Sequence, residues 1–137
     1  MNDLHHTGGD DFTRRVRERV EAFNGSPYAH LLGMEITEVW PRGARVTMNP
    51  EGKENPHGVI HGGAIFSLAD QAFAIAANQE EMQVATSVYI TFMVPATGPL
   101  EAVAEFLGET EHTALYRVMV KAGDRLVASF DGVTFRK

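Results

Sequence analysis

The sequence predicts an α+β fold in which an antiparallel sheet wraps one central helix. Three observations carry this. Between residues 62 and 78, apolar side chains fall on almost every side of a helix, the pattern of a helix surrounded by protein. From Val84 onward the pattern switches to alternation and keeps it through Val84–Val94, Leu100–Gly108, Thr113–Lys121 and Arg125–Phe135. Strands gathered after one helix, rather than interleaved with several, point to an antiparallel sheet.

The elements follow in order. Residues 1–11 are polar and contain glycine, which predicts a frayed tail with His5 and His6 in solvent. Residues 12–137 are then a single domain. Phe12, Val16, Val20 and Phe23 form one narrow apolar stripe at helical spacing, closed by Asn24-Gly25. A short helical or irregular piece covers Pro27–Leu32. Gly33–Trp40 and Ala44–Met48 alternate, and Pro41-Arg42-Gly43 between them reads as a tight hairpin turn. Residues 49–60 are loop. In the central helix, Ile65, Leu68, Ala72 and Ile75 make one face and Gly63, Phe66, Asp70, Phe73 and Ala77 another. A six-stranded sheet of this length is expected to cover only the first, leaving the second for another subunit.

Composition removes several classes. The chain has 137 residues, 44% hydrophobic and 22% charged, with a formal charge of −6 and no cysteine. The acidic balance without a basic run argues against nucleic-acid binding. The lack of cysteine excludes disulfides and thiolate chemistry, and it fits a reducing cytoplasm. The N-terminus has no signal-peptide pattern, and the longest apolar run is short for a membrane span and interrupted by Asp70. Cytoplasmic location, with no membrane partner, is the expectation.

The chemistry concentrates in NPHGVIHGGAIFSLAD, residues 55–70. A helix N-terminus carries unpaired N–H groups and a partial positive charge. Glycine there lets a ligand come close to the backbone, so Gly62-Gly63 is either an oxyanion site or a simple turn and packing device. Asp70 lies among apolar neighbours. It is either a functional carboxylate with a perturbed pKa, or simply a half-exposed acid or a satisfied helix-packing group. Gly62 and Asp70 are eight residues apart, roughly 12 Å along a helix. One carbonyl cannot contact both on a single helix, but two antiparallel copies could bring the head of one beside Asp70 of the other. His57 and His61 have the spacing of helical metal ligands, yet Pro56 and Gly58 place His57 in a loop, so no metal site is expected. His61 suits bracing the loop backbone. Ser67 lies outside any G-x-S-x-G elbow and is a weak nucleophile candidate. Asn55 is a turn-former whose amide could donate to a substrate carbonyl.

These residues resemble the active-site segment of the hotdog-fold acyl-CoA thioesterases of the phenylacetate-degradation type. The shared pattern is Asn55, five residues, His61-Gly62-Gly63, six residues, Asp70, with further matches in ITFMVPATGPLEAVAEF and RLVASFDGVTF. The resemblance covers about residues 28–136. It implies a sheet wrapped round a long helix, dimers with a continuous sheet, and pairing into homotetramers. It implies that Asp70 activates water or attacks the thioester, and that the Gly62 N–H from the opposite subunit polarises the carbonyl. Asn55 is similar to an Asn near the reacting carbonyl or water, and His61 to the loop-bracing His. Gly63 and Phe66 belong to the same segment as substrate contacts. A water-holding hydroxyl on the following strand would fall near Ala85, with Thr86 and Ser87 adjacent. Acyl-CoA with a small, medium or aryl acyl group is the implied substrate, and hydrolysis needs no cofactor. The alternatives are an acyl-CoA-binding module without turnover, against which the retained acid counts, and a dehydratase, which needs a differently placed His–acid pair. Phe66, Phe73, Phe92 and Met93 are available to line an acyl pocket or simply to fill the core. Arg117, Lys121, Arg136 and Lys137 are available cations for the nucleotide, or solvated charges.

Overall fold

The computed structural model describes residues 10–136. The order is α1 (Asp10–Asn24), α2 (Pro27–Leu32), β1 (Met34–Trp40), β2 (Gly43–Met48), α3 (Gly62–Ala77), β3 (Val84–Phe92), β4 (Leu100–Glu109), β5 (Thr113–Ala122) and β6 (Arg125–Phe135). Phe12, Val16 and Val20 are buried, as their spacing requires. The helix starts at Asp10, however, two residues into the stretch read as tail; His5, His6 and Lys137 lie outside the described residues. Asn24 ends α1, its Oδ1 accepting the Ile36 N–H at 2.7 Å and tying the helix to β1. Ser26 caps α2, and Gly33 at φ 64° stops it in the left-handed region that favours glycine.

All six strands form one antiparallel sheet in the order β1-β2-β4-β5-β6-β3. The β1–β2 turn uses Pro41 and then Arg42 at φ 61°. Gln79, just past α3, holds it: its Nε2 donates to the Trp40 and Gly43 carbonyls at 2.8 and 3.0 Å, and its Oε1 accepts the Arg42 N–H at 2.7 Å. The far end of the helix is thereby fastened to the hairpin.

The sheet curls round α3 more fully than its length suggests. Phe73 is 2% exposed, with its ring 5.8 Å from Tyr116 and 5.5 Å from Phe130, and Ala77 is buried too. The expectation that these two residues face another subunit is therefore corrected. The reason lies at Gly132: a Cβ there would stand 2.6 Å from Phe73 Cζ, so the missing side chain lets the ring press against β6. What remains half-exposed on α3 is the narrower stripe Phe66, Ser67, Asp70, Gln71 and Ala74. An antiparallel sheet folded round one long helix is the hotdog arrangement.

Candidate active site

The loop before α3 is built by its own hydrogen bonds. Asn55 O accepts the Gly58 N–H at 2.9 Å, and Asn55 N donates to Val59 O at 2.7 Å. The Asn55 Oδ1 accepts from His57 N at 2.8 Å and Val59 N at 3.3 Å. Gly58 sits at φ 81°, which this turn needs and a branched residue would resist. Both flanks are tied down, Ile60 N to Ala96 O at 2.8 Å and His61 N to Lys53 O at 2.7 Å. The Asn55 oxygen is thus committed to the loop, while its amide donors have no partner among the described residues.

His61 caps α3. Its Nδ1 accepts the Gly63 N–H at 3.1 Å, so its neutral ring carries the proton on Nε2. Its carbonyl accepts from Ala64 N at 2.9 Å and Ile65 N at 3.2 Å. That leaves Gly62 as the first-turn N–H without an acceptor among the described residues. Neither Gly62 nor Gly63 has a positive φ, so a special turn conformation is not the reason for this pair. A Cβ on Gly62 would lie 3.4 Å from Phe92 Cζ, an ordinary contact, so crowding does not require glycine there either. Beside Gly62 a cavity of about 290 Å³ opens, walled by Val59, Ile60, Ile65 and residues 92–95.

Asp70 lies two turns along α3, half-buried, with no hydrogen bond or ion pair among the described residues. Burial raises its pKa above the ordinary carboxylate value, since desolvation penalises the charged form. Among the described residues nothing satisfies it as a packing group, and it is half-exposed on the α3 stripe. Ser67 is accounted for structurally: its hydroxyl donates to Gly63 O at 2.9 Å and lies 2.8 Å from the Tyr28 hydroxyl. This tie from α2 to α3 has no local signature, because its ends are far apart in the chain.

His61, Gly62 and Gly63 therefore come together at one helix head, Asn55 lies in the loop that leads into it, and Asp70 stands apart from them. Thr86 and Ser87 do not join that group. Ser87 pairs with Val133, on the face of β6 opposite the buried Phe130, Gly132 and Thr134, which turns it away from α3. Thr86 sits at a bulge and donates its hydroxyl to Val133 O at 3.2 Å, about 20 Å along β3 from Phe92. The four candidate pocket residues also separate. Phe73 is core, Phe66 packs edge-on to Phe130 with 5.6 Å between rings, and only Phe92 and Met93 line the cavity. Of the cations, Arg117 pairs with Asp131 at 2.8 Å and Arg136 pairs with Glu109 at 2.6 Å, so neither is simply solvated.

A swallowed helix whose head presents a free donor beside a cavity defines a hotdog protein with the parts for carbonyl chemistry. Residues 57–129 match the family model of the thioesterase superfamily, and the chain belongs to that superfamily of hydrolases. It is 35% identical to the acyl-coenzyme A thioesterase PaaI of Escherichia coli over 113 residues, covering 79% of this chain and 81% of that protein. The solved structure of the PaaI protein from the E. coli phenylacetic acid degradation operon superposes with a TM-score of 0.84 at 30% identity, covering 92% of this chain and 96% of that one. A mutant of the phenylacetic acid degradation protein PaaI from Thermus thermophilus gives 0.78 at 34% identity, over 82% of this chain and all of the other.

Proposed function

We propose that the chain hydrolyses acyl-CoA thioesters by carboxylate-assisted attack of water. The observation that carries this is the Gly62 N–H at the positive end of α3, without an acceptor among the described residues and opening on a cavity. A thioester carbonyl seated there is polarised, and the oxyanion that forms on attack is stabilised where its charge develops. The free Asn55 amide is a second donor for the carbonyl or the water. His61 keeps the helix head in shape through its cap, and Gly63 and Phe66 flank the substrate. Asp70 in its ionised form takes the proton of the attacking water; collapse of the tetrahedral intermediate expels the CoA sulfur, leaving a carboxylic acid and a free thiol.

Gly62 and Asp70 of one chain are roughly 12 Å apart along α3, too far to act on one carbonyl. The reading therefore requires a homodimer with antiparallel α3 helices, Gly62 of one chain working with Asp70 of the partner subunit. An edge strand supports this. β3 ends the sheet with one side unpaired, and large apolar side chains stand exposed along it, Tyr89 at 72% and Val84 at 66%. Two β3 edges joined antiparallel would continue the sheet across the pair. Among the described residues no helix is long and apolar enough to cross a membrane.

The test is thiol release from a panel of acyl-CoAs, with Asp70→Asn beside the wild type. The chain has no cysteine to give a background. Turnover by the wild type with a loss of ~10²–10⁴-fold in the variant supports the reading. Tight binding without turnover across the panel favours the non-catalytic module instead.

A further inference from the structure

We infer that the cavity beside Gly62 receives the acyl group, that it selects acyl groups without charge, and that Phe92 sets their size. The inference rests on the thioesterase reading. Two substituents leave a thioester carbonyl: the acyl chain, and the sulfur arm of CoA with its two amides and, further out, its phosphates. The wall that this chain supplies carries no charged side chain and no hydroxyl, amide or imidazole. Five of its backbone donors are used as well. Val59 N goes to Asn55 Oδ1, Ile60 N to Ala96 O, Ile65 N to His61 O, and Met93 and Val94 N both to Val127 O. Pro95 has no N–H to give. Beside the Gly62 N–H reserved for the carbonyl, such a wall has little to satisfy an amide-bearing arm, whereas an apolar acyl chain asks for nothing. A chain ending in a carboxylate would lose its hydration there without a partner.

Phe92 stands where length is decided. Its ring lies at van der Waals distance from the place a Gly62 Cβ would occupy, so it borders the carbonyl position. It is also the last residue of the edge strand and 52% exposed in the single chain, so within the protomer its side chain is free of core packing on one side. A change at Phe92 can therefore reshape the cavity without emptying the core.

The experiment compares hexanoyl-CoA with adipoyl-CoA, which share a six-carbon chain and differ by a terminal carboxylate. The wild type is expected to prefer hexanoyl by ~100-fold or more in kcat/KM. Phe92→Lys places a cation at the cavity and should shrink that preference by ~10-fold or more. Adipoyl turnover within a few-fold of hexanoyl by the wild type, or an unchanged ratio in a folded Phe92→Lys, overturns the inference while leaving the hydrolase reading intact. A wild type inert toward both and toward the whole acyl-CoA panel overturns the hydrolase reading and the inference together. Should Phe92→Lys not fold, Phe92→Leu carries the test, because it must shift the preferred straight-chain length upward. A length profile that stays put overturns the assignment. So does a Phe92→Leu effect that follows the thiol, seen by exchanging CoA for N-acetylcysteamine at constant acyl group.

Discussion

Asp70 is an acid held partly out of water with no hydrogen-bond donor to it among the described residues, and that arrangement works against the stability of the fold. Burial raises its pKa in the folded chain. The favourable contribution of the protonated form is full below the unfolded value and is lost as pH rises through the raised folded value. Near neutral pH the ionised carboxylate is a net cost. Asp70→Asn, neutral at every pH, should melt at a higher temperature than the wild type near pH 7, and the gap should close toward about pH 4. The same shift should appear in catalysis, where the acidic limb of the wild-type rate profile should fall above the ordinary carboxylate range. Thermal melts and pH–rate profiles read both; a variant less stable at neutral pH would mean that Asp70 has a stabilising partner. Asp70 was legible as a candidate because a lone acid among apolar helix positions is rare. Its lack of a partner was not, since that depends on how α1, α2 and the sheet pack around it.

At the scale of elements, the head of α3 separates two uses of glycine. Gly62→Ala keeps the N–H and adds a methyl group at ordinary contact distance from Phe92, so it should fold and retain part of the activity. Gly62→Pro removes the donor and should cost ~10²–10³-fold in kcat. Equal losses in two folded variants would show that space, rather than the N–H, is what Gly62 supplies. The β6–α3 contact gives a stability prediction. Gly132→Ala forces a Cβ to 2.6 Å from Phe73 Cζ and should destabilise by about 1–3 kcal/mol in urea titration, with no direct effect on the helix head. The strands and α3 could be read from the chain within a residue or two, because alternation and turn residues are local signals. Gly132 could not: its reason is a ring 59 positions away. The same non-local fact misassigned the faces of α3, for nothing in the spacing says how tightly a strand approaches a helix.

At the scale of the molecule, the account stands on two copies sharing each site. The position of β3 at the sheet edge is a matter of strand order, β6 lying between it and β5, and no local pattern announces it. Once there, its exposed apolar residues and unpaired edge suit a second copy, and the 15.0 kDa chain should sediment as at least a dimer. The most direct measurement of the central claim is complementation between two inactive proteins, Asp70→Asn and Gly62→Pro, each first shown to fold, dimerise and exchange subunits. In a mixed dimer one site carries both lesions and the other carries neither. Equimolar mixing with random exchange makes half the dimers mixed, each with one working site of two, so about a quarter of wild-type thioesterase activity should return. No recovery from folded, exchanging subunits would contradict the account, because Gly62 and Asp70 would then not act together across the interface.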